Sequence, residues 1–244
     1  MLIAVVGSMG SGKGTVGDCL VDQEGFRKYA FADGVKDATA SIFGWPRHLL
    51  EGDTKESRTF RETVDPFWSE KFGFDVTPRW ALQKVGTEGG RDALHPDLWI
   101  HRCIRDISIA DNESAFGIDA VITDARFPNE IDAVLDVPGA EVWFVSKTAD
   151  ICFTPGATEW AYEWCKGLKE HALREGKIVG ISAEDVAFGT EKTGLHRSEW
   201  DWFRHPGIAQ IGTPKQSNRI KHIINDGTIE DLYRKVAGAR LESK

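Results

Sequence analysis

The sequence predicts an α/β domain, in which buried parallel strands alternate with helices. A short apolar run, Leu2 to Val6, precedes a glycine-rich stretch and then a helix-like segment, Val16 to Gln23. Comparable apolar runs recur at 119–124 and 139–145, and segments with helical spacing separate them. The length of 244 residues is ample for one such domain with an inserted subdomain.

Composition narrows the class of protein. Hydrophobic residues make up 41% and charged residues 28%, as in ordinary globular proteins. The net charge of -8 argues against broad nucleic-acid binding, but not against a local basic pocket for phosphates. The apolar start is too short for a signal peptide, and no run approaches the roughly 20 apolar residues of a membrane span. Reduced thiols and a cytoplasmic location are expected, since the cysteines lack metal-ligand spacing: Cys19, Cys103, Cys152 and Cys165.

The stretch Gly7-Ser8-Met9-Gly10-Ser11-Gly12-Lys13-Gly14-Thr15 fits the phosphate-binding loop pattern. Its glycines let backbone N–H groups turn inward as an anion nest, and the following helix aims its positive end at the same point. Lys13 adds an ammonium that can reach the β- and γ-phosphates. The alternative, a glycine-rich turn with a chance lysine, is disfavoured because strand, loop and helix signals agree. The predicted ATP phosphate ligands are Gly10, Ser11, Gly12, Lys13, Gly14 and Thr15.

A second strand is predicted at Gly25 to Phe31, where apolar and polar residues alternate. Asp33 follows it, at the end where α/β sheets open into a ligand crevice. A helix-capping role for Asp33 at a turn fits equally well. The segment from Val35 to Phe43 is predicted to be a helix, with Lys36 in its first turns.

An excursion over the top of the sheet is predicted from about Gly44 to Pro78, where regular periodicity is lost. Arg61 and Arg79 are candidates to bind the phosphate of an acceptor, because the planar guanidinium binds phosphate oxygens bidentately. For Arg58, a solvated surface position is an equally good interpretation.

The middle of the chain is predicted to be largely helical. One helix covers Arg79 to Val85, and Gly86 with Gly89-Gly90 should end it. Another helix runs from Pro96 to about Ala110. On its own pattern, Trp99 in that helix would be interpreted as a core residue.

A clear buried strand, Asp119 to Asp124, ends in an acid and leads into the loop Ala125 to Glu130. In a chain with a phosphate loop, such an acid is typical of a residue that orients magnesium, usually through water. A structural role for Asp124 is the weaker alternative. The next strand is predicted at Gly139 to Val145.

The sequence pattern is least informative about structure in residues 147–219. The remaining predicted elements are a helix at Glu159 to Arg174, a strand at Lys177 to Ser182, a lid segment near His196 to Glu199, a short strand and turn at His222 to Thr228, and a closing helix at Ile229 to Val236.

Five segments together resemble the phage-type deoxynucleoside monophosphate kinases, within the P-loop kinase superfamily. In the phosphate loop, Gly14 follows the lysine and the hydroxyl arrives one place later, at Thr15, as in nucleoside monophosphate kinases. The other segments are Phe31-Ala32-Asp33-Gly34-Val35-Lys36-Asp37-Ala38, the block Leu82-Gln83, Gly86-Thr87 and Trp99, Val121-Ile122-Thr123-Asp124-Ala125-Arg126, and Ile224-Asn225-Asp226-Gly227. They span the chain except for residues 148–192, which look like an insertion.

The resemblance implies a three-layer P-loop kinase fold. Its five-stranded parallel sheet, flanked by helices, would use strands near 2–6, 26–31, 119–124, 140–146 and 221–225. A single P-loop kinase domain would cover residues 1–244, with an acceptor-binding excursion at 44–80 and a lid or insertion region at 147–219.

The resemblance also implies an activity, the transfer of the γ-phosphoryl group of ATP to a deoxynucleoside 5′-monophosphate, giving dNDP and ADP. The implied catalytic residues are Lys13, Asp124 and Arg126, and Thr15 and Asp124 would hold Mg²⁺. The implied acceptor site has Arg61 and Arg79 on the phosphate, Gln83 on the base edge, Trp99 in the pocket, Lys36 nearby, and Asp33 on the sugar or on magnesium. The implied partners are small molecules, with neither nucleic acid nor membrane, in the cytoplasm (the host cytoplasm for a phage protein). A homodimer is possible, because the sequence does not determine the oligomeric state.

Two rival functions fit part of the pattern. A kinase acting on another small phosphorylated metabolite, such as dephospho-coenzyme A, would share the loop and the Asp33 segment. The base-reading Gln83 and the two arginines favour a nucleotide. A P-loop ATPase or GTPase that acts as a switch is disfavoured by Gly14, which replaces the usual magnesium-binding hydroxyl, and by the lack of a guanine-reading Asn-Lys-x-Asp sequence.

Overall fold

The computed structural model describes residues 1–8, 10–149, 166–167, 169–171, 173–174, 204–211 and 217–243. The chain divides into two compact units. We call Met1–Tyr29 with Glu113–Lys244 the sheet unit, and Ala30–Asn112 the helical unit. In the described ranges, no helix combines the length and the apolar character that crossing a bilayer requires.

Five parallel strands form the sheet of the sheet unit, as far as it is described, in the order β2-β3-β1-β4-β5. They are β1 (Leu2–Val6), β2 (Arg27–Tyr29), β3 (Ala120–Ile122), β4 (Glu141–Ser146) and β5 (Ile220–Ile224). The predicted α/β class with a five-stranded parallel sheet is therefore confirmed.

Two strands, β2 and β3, are shorter than the sequence predicted and contain three residues each. Just before β3, the Asp119 carboxylate lies 2.7 Å from the N-terminal ammonium and 2.7 Å from Arg240 Nη2. Just after β3, the N–H of Thr123 still donates to the carbonyl of Tyr29 at 3.3 Å. The chain then leaves the sheet, so Asp33 and Asp124 both lie beyond the ends of their strands.

Helices cover both faces of the sheet. The helices α1 (Lys13–Glu24) and α8 (Ile229–Leu241) pack on one face, in a core that includes Val5, Val121 and Trp143. Helix α7 (Pro128–Leu135) packs against β1 and β4, whose residues on the opposite face are buried as well. Because α1 begins at Lys13, earlier than the predicted Val16, the lysine and Thr15 both lie in its first turn.

The order of the strands defines where a ligand is expected. The chain leaves β1 towards β2 on one side of the sheet and leaves β4 towards β5 on the other side. The connections therefore diverge between the neighbours β1 and β4, and in open α/β sheets ligands bind at such a switch point, outside the carboxyl ends of the strands. The glycine-rich loop follows β1 at this edge.

The helical unit contains several short helical elements. They are α2 (Asp33–Phe43), a 3₁₀ turn (Arg47–Leu50), α3 (Lys55–Glu62), α4 (Pro66–Phe72), α5 (Pro78–Gln83), a π-helix (Lys84–Asp92) and α6 (Leu98–Glu113), which ends at the unit boundary. Residues 44–78 show no regular periodicity in the sequence, yet they contain the 3₁₀ turn, α3 and α4. Thr54, Asp65 and Thr77 each accept an N–H from the first turn of the following helix. Caps specify these helices, which are too short to show periodicity.

An aromatic core holds the helical unit together around Trp45, Leu50, Val76 and Ala81. The rings of Phe43 and Trp45 stack with centroids 4.4 Å apart. The Trp45 indole N–H donates to Asp65 Oδ2 at 2.7 Å, which ties this core to the start of α4. Burial alone would raise the pKa of Asp65, but hydrogen bonds from the Trp68 N–H and the Trp45 indole hold it below its ordinary value.

The glycines at 86, 89 and 90 do not end the helix as the sequence predicted; that expectation was wrong, because the chain continues through them as the π-helix. A Cβ on Gly86 would lie 3.2 Å from Val35 Cγ1, and one on Gly90 would lie 2.6 Å from the Trp99 indole. The indole N–H of Trp99 donates to the carbonyl of Gly86 at 2.8 Å. These glycines therefore serve close packing rather than termination.

Several predicted elements lie wholly or mostly outside the described residues. The described residues of the predicted helix at 159–174, namely 166–167, 169–171 and 173–174, are helical. The predicted strand at 177–182 and the lid segment at 196–199 lie outside the described residues. The organisation of residues 1–244 as a single domain with a lid stays a prediction.

Candidate active site

The glycine-rich loop begins where β1 lies tightly against β4. Gly7 has a φ of 149°, and a Cβ at this position would lie 2.2 Å from the carbonyl oxygen of Val145. No other residue fits there without a shift of backbone, so the loop leaves the sheet at the switch point only because position 7 is a glycine.

The loop ends at the start of α1. Gly12 has a φ of 103° and precedes the first helical residue, Lys13. The Lys13 ammonium donates to the carbonyl of Ser8 at 2.7 Å, so it folds back over its own loop. The free N–H groups of a helix start and the helix dipole favour an anion at this point. The arrangement is therefore that of a phosphate-binding loop closed by its lysine.

The loop after β3 is shaped by Glu130, which the sequence analysis placed only at the end of that loop. The Glu130 carboxylate is buried and accepts the N–H groups of Arg126 at 2.7 Å and Phe127 at 3.0 Å. The pattern of Pro128 followed by an acid in the first helical turn is a helix-start signal that could have identified it. Glu130 thus fixes the backbone that carries Arg126.

The two predicted magnesium ligands, Thr15 and Asp124, both carry side-chain oxygen atoms and both belong to the sheet unit. Thr15 lies in the first turn of α1, and Asp124 follows β3, the strand next to β1. A Cβ on Gly17 would lie 2.4 Å from Thr123 Cγ2, so this glycine lets α1 pack closely against the residue before Asp124. A hydroxyl and a carboxylate are the hard oxygen ligands that Mg²⁺ prefers.

The predicted donor residues all belong to the sheet unit, and the predicted acceptor residues all belong to the helical unit. The sheet unit contains Gly10, Ser11, Gly12, Lys13, Gly14, Thr15, Asp124 and Arg126, and the helical unit contains Asp33, Lys36, Arg61, Arg79, Gln83 and Trp99.

Asp33 belongs to a network of charges at the start of α2. Its Oδ2 accepts the Ala30 N–H at 2.9 Å, and its Oδ1 lies 3.1 Å from Arg47 Nη2 and 3.4 Å from Lys36 Nζ. Lys36 Nζ also lies 2.6 Å from Glu51 Oε2. Asp33 is the first residue of α2, and the residue before the helix, Ala32, provides no side-chain cap, so the structure does not show the helix-capping role that the alternative interpretation expected. The ligand role of Asp33 stays a prediction.

Arg47 is the centre of this network, and the sequence analysis missed it. It pairs with Asp33, Asp37 and Glu51. Burial alone would raise the pKa of Glu51, but hydrogen bonds from Lys36 and Arg47 lower it below its ordinary value. No local pattern marks Arg47, because its partners on α2 are 10 and 14 positions away in sequence.

Arg61 and Arg79 lie close enough for their charges to interact. The pKa of Arg61 is lowered first by burial and then by the positive charge of Arg79. Arg61 Nη1 donates to the carbonyl of Glu51 at 3.3 Å, and among the described residues its buried Nε has no hydrogen-bond partner. Arg79 is exposed, with its Nε 3.4 Å from Glu62 Oε1. Arg61 and Arg79 therefore influence one another electrostatically, and their role on the phosphate of an acceptor stays a prediction.

The remaining predicted acceptor residues differ in exposure. Gln83 is the last residue of α5 and is exposed. Trp99 is only 8% exposed, and its ring packs against Gly34 and Gly90. Its contacts are those of a core residue. Arg58 is exposed and donates to the carbonyl of Asp53 at 2.9 Å, as a surface arginine does.

One cluster in the helical unit resembles a metal site, with ligand atoms of His95, Asp97 and His101 within 4.8 Å of one another. His95 Nδ1 accepts the backbone N–H of Asp97 at 3.1 Å. A neutral imidazole that binds a metal through one nitrogen carries its proton on the other, so binding through either nitrogen would break this hydrogen bond. We therefore assign no metal to the cluster.

Comparison with known proteins identifies the family. A mimivirus protein, the deoxynucleotide monophosphate kinase of Acanthamoeba polyphaga mimivirus, is 32% identical to this chain over 149 residues. The match covers 57% of this chain and 70% of the viral protein. The chain belongs to the deoxynucleoside monophosphate kinases.

A second relative of this kinase is the deoxynucleoside-5′-monophosphate kinase of Escherichia phage T5. It is 29% identical over 179 residues, covering 53% of this chain and 70% of the phage protein. The sequence expectation of a kinase that transfers a phosphoryl group is thereby confirmed. No family model matches the sequence.

Two solved structures align with this kinase along most of its length. The alignment with a gluconokinase from Sinorhizobium meliloti 1021 covers 98% of this chain and 92% of the gluconokinase chain, with 15% identity and a TM-score of 0.34. The alignment with a sugar kinase from Janibacter sp. HTCC2649 covers 98% of this chain and 93% of the sugar kinase chain, with 12% identity and a TM-score of 0.34.

Proposed function

We propose that this kinase transfers the γ-phosphoryl group of ATP to a deoxynucleoside 5′-monophosphate, giving dNDP and ADP, with Mg²⁺ as the metal ion. The names of the mimivirus and phage T5 relatives support this substrate class. The structural observation that carries the proposal is the pair Arg61 and Arg79, two interacting guanidinium groups with an unsatisfied buried donor.

The donor half of the reaction uses the sheet unit. The amides of Gly10 to Thr15 would hold the β- and γ-phosphates of ATP, and Lys13 would exchange its hydrogen bond with Ser8 for a phosphate oxygen. Thr15 and Asp124 would hold magnesium, whose charge neutralises the phosphate oxygens. Arg126 would place its guanidinium near the transferring group.

The acceptor half uses the helical unit. Arg61 and Arg79 would bind the phosphate of the monophosphate, and Gln83 would bind the edge of its base. Lys36 and Asp33 would lie at the sugar, and Trp99 would support the pocket from the core position that it occupies.

Little covalent work is required of the protein. A monophosphate is already ionised near neutral pH, so its oxygen attacks without a strong general base. The residues need to position the reactants in line and to offset the negative charge of the equatorial oxygens. A lysine, backbone amides, a metal ion and arginines meet both needs, which fits a donor set without a catalytic histidine or cysteine.

The proposal is tested by ADP release, measured with ATP and Mg²⁺ against a panel of dNMPs, NMPs and dephospho-coenzyme A. We expect stimulation by one or more dNMPs and weaker stimulation by NMPs. Stimulation by dephospho-coenzyme A alone would replace the proposed acceptor. ADP release that no acceptor changes would contradict the proposal altogether.

A further inference from the structure

The segment Ile224-Asn225-Asp226-Gly227, at the end of β5, has no part in the activity described so far. Asn225 nevertheless contacts the phosphate-binding loop, although 214 positions separate it from Ser11 in sequence: its side-chain Nδ2 donates to the carbonyl of Ser11 at 2.8 Å. We propose that Asn225 is a positioning residue that orients the peptide between Ser11 and Gly12 for binding the triphosphate. This inference rests on the proposed donor site.

The peptide between Ser11 and Gly12 is trans, like the other described peptide bonds. In a trans peptide the C=O and the N–H point in opposite directions. When Asn225 holds the carbonyl of Ser11 on its own side of the loop, the N–H of Gly12 is directed to the other side. The orientation of a donor in the nest is therefore set by a side chain outside the loop.

Gly12 shows how closely Asn225 approaches. A Cβ on Gly12 would lie only 2.3 Å from Asn225 Nδ2 and 3.3 Å from its Cγ. Position 12 also has a φ of 103°, which L side chains rarely adopt. A glycine is therefore required before Lys13 for two reasons: the backbone turns into α1 with a positive φ, and the Asn225 amide occupies the space that a Cβ would need.

Asn225 itself is held firmly. Its backbone N–H donates to the carbonyl of Ser146 at 2.7 Å, so the chain beyond β5 stays paired with the end of β4. Lys235 of α8 donates to the carbonyl of Ile224 at 2.6 Å and pairs with Asp226. Thr228 then caps α8 by accepting the N–H of Asp231 at 3.2 Å. A side chain carried by an anchored backbone of this kind can fix the orientation of a peptide that glycines leave free to rotate.

The test compares two variants with the wild-type enzyme. Asn225→Ala removes the donor, and the isosteric Asn225→Asp replaces it with a carboxylate that repels the Ser11 carbonyl. Affinities for ATP and for inorganic tripolyphosphate are measured by calorimetry. We expect Asn225→Ala to weaken both by about tenfold, equivalent to about 1.4 kcal/mol, and Asn225→Asp to weaken both further. Asn112→Asp, the same chemical change at an exposed position, should alter neither affinity.

Because tripolyphosphate lacks the nucleoside, it distinguishes a role of Asn225 in the phosphate-binding loop from a contact with the base. If the variants lose affinity for ATP but not for tripolyphosphate, Asn225 acts on the nucleoside and the inference is wrong. Unchanged affinity for both probes, or failure of both variants to fold by circular dichroism, also overturns it, the latter because Asn225 would then serve the fold.

A parallel measurement on Lys13→Ala distinguishes failure of this inference from failure of the donor site. If Lys13→Ala binds tripolyphosphate as tightly as the wild type, the proposed donor site itself is wrong. If Lys13→Ala loses affinity while the Asn225 variants keep it, the donor site stands and only the role of Asn225 falls.

Discussion

At the scale of single residues, the lysine of the glycine-rich loop carries the clearest chemical expectation. We expect Lys13→Ala to lower kcat by about 10²–10³-fold, the effect of removing one charge stabiliser from a transition state. Far-UV circular dichroism should be unchanged, because the Lys13 ammonium is bonded to its own loop. The control is Lys28→Ala, which removes an exposed lysine paired with Asp18 and should leave kcat intact. Wild-type turnover in Lys13→Ala would refute the loop assignment.

Arg79 is expected to act on the acceptor alone. Loss of a charge-assisted hydrogen bond of about 1.5–3 kcal/mol should raise the KM for the monophosphate by about 10–100-fold in Arg79→Ala. The KM for ATP should change little. Arg58→Ala removes a comparable exposed arginine and serves as the matched control. Equal effects of Arg79→Ala on both KM values would remove Arg79 from the acceptor site.

Asp124 is expected to affect the metal requirement. Asp124→Asn keeps the size of the side chain but removes the charge that a magnesium ion or its waters would meet. The magnesium concentration that gives half-maximal activity should therefore rise, while the thermal midpoint stays close to that of the wild type. Asp136→Asn, a change at the exposed end of α7, controls for the loss of one charge. An unchanged magnesium titration would return Asp124 to a structural role.

The sequence predicts site residues where the chemistry is local. The phosphate loop is one continuous stretch, and the acid after β3 follows a clear apolar run, so spacing alone indicates both. Arg47 and Asn225 could not be found in this way, because the α2 partners of Arg47 and the loop partner of Asn225 lie far away in sequence. Contacts of that kind depend on where the strands and helices finally pack, which spacing does not report.

At the scale of elements, the π-helix shows what a glycine does beyond breaking a helix. We expect Gly90→Ala to lower the free energy of unfolding by about 1–3 kcal/mol, because the added Cβ overpacks the Trp99 indole. The neighbour Gly89 is exposed, and a Cβ there would lie 3.4 Å from the carbonyl oxygen of Lys84, an ordinary van der Waals contact. Gly89→Ala should therefore be neutral or stabilising, by up to about 1 kcal/mol. Urea unfolding measures both, and equal effects would contradict this account of the π-helix.

Element boundaries were predictable only where periodicity has room to appear. α2 matches its predicted segment closely, since it ends at the predicted Phe43 and begins at Asp33 rather than Val35. α8 begins at the predicted Ile229 but continues beyond the predicted Val236 to Leu241. The three helices between Thr54 and Gln83 contain six to eight residues each. Of these, the sequence predicted only α5, and it did not predict α3 or α4. Their caps and N-terminal prolines were visible in the sequence, but aromatic residues between them hid the pattern.

At the scale of the whole molecule, the fold class could be predicted from one strand, one loop and the recurrence of apolar runs. The strand order β2-β3-β1-β4-β5 could not be predicted in the same way, because it depends on which crossover passes over β1. That order places the glycine-rich loop at the switch point of the sheet. The candidate donor site is therefore a consequence of topology as much as of its own residues.

The central claim is that the γ-phosphoryl group of ATP moves to a deoxynucleoside monophosphate. The most direct test follows [γ-³²P]ATP in the presence of Mg²⁺ and each dNMP, and separates the products by chromatography. The account predicts that the label appears in the β-position of a dNDP, and that Lys13→Ala slows formation of this product by about 10²–10³-fold. Label that appears in inorganic phosphate at a rate independent of any dNMP would contradict the account and indicate a nucleotide-hydrolysing switch.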